Sequence, residues 1–259
     1  DKIENTSGSI LFSLDDKFIF YSKLDENHRP KKIFRHEIGK SIKEDLLIFE
    51  ERTPAFTVSI GISADEKYYF INSSDHNTSE KYYFKSNENL PKPKIVRKRE
   101  KGIIYSVSSW EGYFYIHTNK GAEDFKIERS RDIEASKWEV FIPAKNETMI
   151  GGLTFLKNWI IRSELNNALD KIFVRDINSN KEEELIFTDE EVYDGSISHT
   201  QKNRNTDLIY ISYSTPKTQA RTYLYNLKTK EKKLVKEQVI PTGHDPKNYI
   251  VQRIECNSD

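Results

Sequence analysis

The chain has 259 residues, and Lys plus Arg and Asp plus Glu both total 41, so its formal net charge is zero. That balance argues against a bulk nucleic-acid binder, which needs surplus cations against phosphates, and against an electrostatic membrane anchor. Aromatics at 12% mark a chain that folds although 32% of it is charged, and the single Cys256 leaves no internal disulfide framework and no cysteine-based zinc site.

The opening DKIENTSGS (1–9) has no initiator Met, no basic region and no apolar stretch, so no signal peptide is visible. Together with the lone cysteine this gives the expectation of a cytoplasmic protein. The Asn-x-Ser/Thr triplets at Asn5, Asn72, Asn77 and Asn146 then read as chance. No apolar run approaches the roughly 18 residues of a membrane span.

Strands follow in sets of four. The first set is SILFS (9–13), an aromatic run from Phe18, KKIFRHE (31–37) and LLIFEE (46–51), with EIGKSIKEDLL (37–47) the nearest approach to a helix. The second is TVSIGIS (57–63), the run from Tyr68, KYYFKS (81–86) and KIVRKRE (94–100). IYSVSS (104–109), Tyr113–Ile116, FKIERS (125–130) and WEVFIP (138–143) make the third. The fourth is GGLTFL (151–156), Trp159–Arg162, KIFVRD (171–176) and EELIFT (183–188). GSISH (195–199), Leu208–Ile211, RTYLYNL (221–227) and KKLVKE (232–237) make the fifth. The repeat is plainest between SLDDKFIFYS (13–22) and SADEKYYFIN (63–72), which align without a gap, and the second strand recurs every 45 to 50 residues.

Four antiparallel strands repeating at that interval are the signature of a β-propeller blade. The expected fold is all-β, with blades over 8–52, 53–100, 101–147, 148–189 and 190–239. A β-sandwich would not need the same phrase five times. The Gly and Ser of the first strands (Gly61, Ser108, Gly151, Gly152, Gly195) are ascribed to crowding of sheets near an axis.

The sequence offers little chemistry of its own. No Gly-x-Ser-x-Gly elbow occurs, and the six histidines are scattered without metal-ligand spacing. Asp15-Asp16, Asp25-Glu26 and Glu190-Glu191 fall in turns, where carboxylates serve as turn formers. The basic KPKIVRKREKG (92–102) reads as an outer strand and its exit. No catalytic residue, cofactor or metal is expected.

Several segments carry a resemblance: GSILFSLDDKFIFYSKLDENHRPKKIFRHEIG (8–39), EDLLIFEE (44–51), TSEKYYF (78–84), REKGIIYSVSSWEGYFYIHTN (99–119), KWEVFIPAKNETMIGG (137–152) and GHDPKNYIVQRIE (243–255). In order and together they resemble the propeller portion of the oligopeptidase B (protease II) branch of the prolyl oligopeptidase family of serine peptidases. The resemblance implies a seven-bladed ring over an α/β-hydrolase domain that holds a Ser-His-Asp triad and cleaves short peptides after Arg or Lys. It implies that this chain holds five of the seven blades, with 1–7 the tail of a missing blade and 240–259 the link toward the absent hydrolase domain. The propeller would be the non-catalytic gate and size filter, inactive alone, with the hydrolase domain and short peptide substrates as partners and neither nucleic acid nor membrane.

Topology then selects a face. Because blade strands alternate in direction, loops from strand two to three open at the same end as exits from strand four. The partner domain would meet SKLDENHRP (22–30), NSSDHNTSE (72–80), HTNKGAED (117–124), RSELNNALD (162–170) and SYSTPKTQA (212–220). The candidate interface residues are Asp25, Glu26, Arg29, Asp75, His76, Glu80, Asn119 and Glu164. A rival reading is a stand-alone five-bladed propeller that binds a ligand or protein. A five-bladed glycoside hydrolase is discounted, because the inner strands lack converging acids.

Overall fold

The computed structural model describes residues 2–199, 203–254 and 256. Each strand set closes as one four-stranded antiparallel sheet in which sequence neighbours are hydrogen-bonded neighbours. The first sheet is β1 (Thr6–Phe12), β2 (Phe18–Leu24), β3 (Pro30–Glu37) and β4 (Leu46–Glu50). The second is β5 (Thr57–Ile62), β6 (Tyr68–Ser74), β7 (Ser79–Lys85) and β8 (Lys94–Arg97), and the third β9 (Tyr105–Trp110), β10 (Tyr113–Thr118), β11 (Lys126–Ser130) and β12 (Glu139–Ile142). The fourth is β13 (Thr148–Leu156), β14 (Trp159–Asn166), β15 (Leu169–Asp176) and β16 (Glu182–Glu184), and the fifth β17 (Asp194–Ser198), β18 (Leu208–Ser214), β19 (Arg221–Asn226) and β20 (Lys232–Glu237). These are the blades of an all-β propeller. Three belong to one compact unit ending at Ala144 and two to a second unit beginning at Lys145.

The repeated SxDxK phrase folds the same way twice. Ser13 Oγ donates to Asp15 at 2.7 Å and accepts the Phe18 N–H at 2.9 Å, and Ser63 does the same with Asp65 (2.8 Å) and Tyr68 (3.0 Å). The following acid sits in the left-handed region, Asp16 at φ 56° and Glu66 at φ 59°. The phrase is therefore a turn that caps its own backbone donors and starts the aromatic strand. Between the third and fourth strands a register break recurs in four blades, at Ile33/Phe34, Lys81/Tyr82, Ile127/Glu128 and Thr222/Tyr223. An extra residue there sharpens the twist of the outer strand.

Alternation sends successive residues of the central strands to opposite faces, and on β6 the run Tyr69, Phe70 and Ile71 is buried throughout because sheets cover both. Phe20, Ile33 and Ile48 of the first blade meet Val58, Tyr69, Ile71 and Phe84 of the second. Phe70 and Tyr83 on the second blade's other side meet Tyr105, Phe114 and Ile116 of the third. In the second unit Ile161, Ile172 and Val174 meet Ile209 and Ile211. A single sheet could not bury these side chains; each needs its neighbour.

Several expectations shift. Within 37–47 the helical part is a single 3-10 turn, Ile42–Glu44, capped by Ser41 and Glu44, and Leu46 and Leu47 already belong to β4. The fourth blade's last strand shortens to Glu182–Glu184, and Leu185 and Phe187 beyond it enter the core. RSELNNALD is not a long loop: β14 and β15 run through it and turn on Asn167 (φ 52°) and Ala168 (φ 58°), a two-residue hairpin turn. Glycine crowding holds at two positions only. A Cβ on Gly151 would lie 2.8 Å from the Ser163 carbonyl oxygen, and one on Gly195 would strike Phe187, whereas Gly61 and Gly152 face open space. Among the described residues no helix is long and apolar enough to cross a membrane.

Candidate functional site

The loops joining strands two and three divide into exposed turns and buried clamps. Asp25 accepts the Asn27 and Arg29 N–H groups, both at 2.9 Å, and Asp75 accepts those of Asn77 (2.8 Å) and Thr78 (2.7 Å). These carboxylates shape their own turns, and backbone donation draws the Asp25 carboxyl below its ordinary value. Glu26, Arg29 and His76 are exposed at the turn tips. Asp25, Glu26 and Arg29 share an open cleft of about 720 Å³ with Lys31, Glu50 and Glu51.

Asn119 works differently. Its Oδ1 accepts the Ile104 N–H at 2.8 Å and its Nδ2 donates to the Gly102 carbonyl at 2.9 Å, fastening the connection between the second and third blades. Lys31 does the same one blade earlier. It is buried, and its ammonium donates to the carbonyls of Thr53 (2.6 Å), Pro54 (2.9 Å) and Phe56 (2.5 Å).

Glu80 lies on β7, not in the loop, and only 5% of it is exposed. Arg99, on the exit from β8, donates to it from Nε (3.1 Å), Nη2 (2.8 Å) and the backbone N–H (2.9 Å). The same Nη2 reaches Glu51, at the exit from β4, at 2.6 Å. Ser73 Oγ and the Thr53 N–H also donate to Glu51, and the Tyr82 hydroxyl donates to Glu80. The guanidinium stands 4.0 Å over the Phe56 ring. Burial would raise the Glu51 carboxyl, but the Ser73, Thr53 and Arg99 donors outweigh it and bring it to about 2. Glu80 is drawn down by the same contest between burial and the Arg99 and Tyr82 donors. Two carboxylates held ionised around one guanidinium form a clamp between blades rather than an acid–base pair.

Glu164 is likewise a strand residue, on β14 and 3% exposed. Lys145 donates to both its oxygens (2.7 and 2.8 Å), and Arg162 Nε reaches Oε1 at 2.8 Å. Arg162 also forks onto Glu182 with two 3.0 Å bonds, and Arg175 Nε reaches Glu182 at 2.9 Å. The eight residues singled out from the sequence are thus not one constellation. Asp25, Glu26 and Arg29 share a cleft, Asp75 and His76 form a separate turn, and Glu80, Asn119 and Glu164 sit in three fastenings.

Sequence reasoning passed over Lys31, Glu51, Arg99, Asn167 and Lys217. A weak signal exists for two of them: Glu51 and Arg99 both follow a fourth strand, in consecutive blades. The last two receive the exit segment. His244 Nε2 donates to the Lys217 carbonyl at 2.6 Å and its ring stacks on Tyr249 at 5.1 Å. The Arg253 guanidinium grips Asn167 through the backbone carbonyl (2.7 Å) and Oδ1 (2.6 Å). The segment after β20 therefore lies against the two-to-three connections of the fourth and fifth blades. His36 is internal, its Nδ1 2.6 Å from Asp45, which also accepts from the Tyr21 hydroxyl at 2.7 Å. Among the described residues no group of three His, Cys, Asp or Glu is placed to hold a metal ion.

Repeating four-stranded blades stitched at their exits define a β-propeller domain. Residues 1–238 match the prolyl oligopeptidase N-terminal β-propeller domain, and the chain belongs to that family. It is 28% identical over 256 residues to Protease 2 of Moraxella lacunata, covering 98% of this chain and 36% of the relative. It is 26% identical to dipeptidyl aminopeptidase BI of Pseudoxanthomonas mexicana, covering 98% of this chain and 35% of that protein. Among solved structures, oligopeptidase B from Trypanosoma brucei, in a closed form with covalently bound antipain, superposes with a TM-score of 0.88 at 26% identity, over 96% of this chain and 37% of that one. The chain thus spans about a third of the length of the relatives it matches.

Proposed function

We propose that this propeller is the non-catalytic gate and size filter of an oligopeptidase B-like serine peptidase that cleaves short peptides after Arg or Lys. An α/β-hydrolase domain, on the same or a separate chain, supplies the triad and closes against the two-to-three loops. The observation that carries this reading is the course of the exit segment: residues 244–253 lie on Lys217 and Asn167, so the chain leaves the last blade along that face. Val239, Ile250 and Ile254 on this segment are more than four-fifths exposed, apolar surface that suits a packing partner. Blades fastened at their exits by Lys31, Arg99 and Asn119 give such a partner a stiff platform on which exposed turns can vary.

The test joins residues 1–259 to an α/β-hydrolase domain bearing the triad. The joined enzyme turns over an arginyl amide and spares folded proteins, while residues 1–259 alone turn over neither. Charge reversals at Asp25, Glu26, Arg29 and Asp75, with His76→Glu, relax the size filter. Unchanged exclusion of large substrates across that set refutes the gating face, and turnover by residues 1–259 alone refutes the absence of a catalytic site. Glu80, Asn119 and Glu164 stay out of the set, since reversing them would break fastenings rather than probe a surface.

A further inference from the structure

Lys81 stands apart from the lysines of the ion-paired surface. It lies on β7 opposite Asn72 of β6 and Arg97 of β8, so it shares their face, the one turned to the third blade. There it lines an open cleft of about 320 Å³ with Ser59, Ile60, Phe70, Ser106 and Val107. Its ammonium donates to Asn72 Oδ1, a neutral acceptor. Its β8 neighbour Arg97 is spent on Glu128 of β11, with both guanidinium nitrogens at 3.1 Å, and Lys126 reaches the same carboxylate at 3.0 Å. Glu80, the adjacent acid, points to the opposite face and holds Arg99. The charged groups around Lys81 are thus Arg97, Lys126 and Glu128, already matched among themselves.

We propose that Lys81 is a nucleophilic amine site that captures small aldehydes from the cleft as imines. The neutral amine attacks the carbonyl carbon, forming the C–N bond as the carbonyl electrons move to oxygen. Proton transfer gives the carbinolamine, which loses water to leave the C=N bond, with no oxidant or reductant consumed. The Ser59 hydroxyl lies on the same face as Lys81 and suits the carbinolamine oxygen, while Phe70 and Val107 supply apolar walls. Burial, with no carboxylate to oppose it, brings the amine down to about 8. At pH 7.5 about a quarter of such amines are neutral, against about a thousandth at the ordinary lysine value.

The experiment treats the folded chain with glycolaldehyde and cyanoborohydride at pH 7.5 and follows each lysine by peptide mass spectrometry. Lys81 is expected to label at least about tenfold faster than the exposed Lys40, a margin set below the difference in neutral fraction to allow for reduced access and basicity. Its rate levels off above about pH 8. A Lys81→Arg chain with unchanged circular dichroism loses the fast-labelled peptide. Labelling of Lys81 no faster than Lys40, or a Lys81 rate still rising tenfold per pH unit beyond pH 9, overturns the proposal.

Discussion

Both units hold carboxylates against arginine, with opposite pairing. In the first unit one cation serves two acids. Arg99 is the guanidinium for both Glu51 and Glu80, and it joins the first blade to the second. In the second unit Glu164 and Glu182 have two cations each, Lys145 and Arg162 on Glu164, and Arg162 and Arg175 on Glu182, all within or beside the fourth blade. A shared cation makes the inter-blade clamp depend on one residue, whereas double pairing makes the intra-blade ladder tolerant of any one loss. The electrostatic cost of a deletion follows from how many partners remain, not from how buried the deleted residue is. Arg162, at 3% exposed, is the more buried arginine, yet it is the more replaceable one.

The largest consequence is at Arg99. Arg99→Met leaves Glu51 and Glu80 buried and facing each other without a cation, and it removes the stack on Phe56. A loss of about 3–5 kcal/mol in unfolding free energy is expected. Urea melts measure it, and hydrogen exchange at β7 and β8 should rise while exchange at β14 and β15 stays at its wild-type level. A loss below about 1 kcal/mol would mean that the two carboxylates find other compensation and that the single-cation picture is wrong.

Glu51 sharpens the same point through pH. Its folded-state carboxyl, at about 2, lies below the ordinary 4.5, so its stabilisation is complete above the ordinary value and fades as pH falls toward 2. Glu51→Gln keeps the shape and drops the charge, and should cost about 2 kcal/mol at pH 6. The gap between the two proteins should narrow as the pH falls through about 4 and close toward about 2, where the wild-type residue is itself protonated. A gap that is constant across that range would place the cost of the variant in packing rather than in charge.

This contrast marks what a sequence can and cannot carry. The blades were legible because the aromatic run and its acidic turn recur in step, and the Ser13 and Ser63 turns close alike because the same residues stand at the same offsets. Asp25 was legible as a turn former for the same local reason, whereas Asp75 does the same work without having been read as one. Glu80 was misplaced onto a loop by two residues at the polar start of β7, and Glu164 because a two-residue hairpin at Asn167 and Ala168 is hard to tell from a long polar loop when the strands are themselves polar. The Glu51–Arg99 pair spans 48 residues, and no local pattern records such a partnership. Period and turn chemistry are properties of neighbours in the chain; a clamp between sheets is a property of their stacking.

A smaller effect is expected at Arg162. With Arg162→Met, Glu164 keeps Lys145 and Glu182 keeps Arg175, and methionine can refill part of the contact with Phe173 that Arg162 makes at 4.7 Å. The cost should be about 1–2 kcal/mol, less than half that of Arg99→Met under the same conditions. Equal losses at the two sites would show that burial of the arginine itself, and not the number of remaining partners, governs both networks.

The least effect should come from Lys145, and it is the sharpest probe of redundancy. Its side chain is 39% exposed, so water screens its attraction to Glu164 and already solvates much of the ammonium. In Lys145→Met the Glu164 carboxylate still receives Arg162 Nε, and the cost should stay within about 1 kcal/mol. Combining Lys145→Met with Arg162→Met strips Glu164 of both cations and reproduces in the second unit the uncompensated state that Arg99→Met creates in the first. The double variant should therefore lose about 2 kcal/mol more than the sum of the single ones. Additivity within about 0.5 kcal/mol would mean that the two cations act on Glu164 independently, and the distinction between shared and doubled pairing would then carry no energetic meaning.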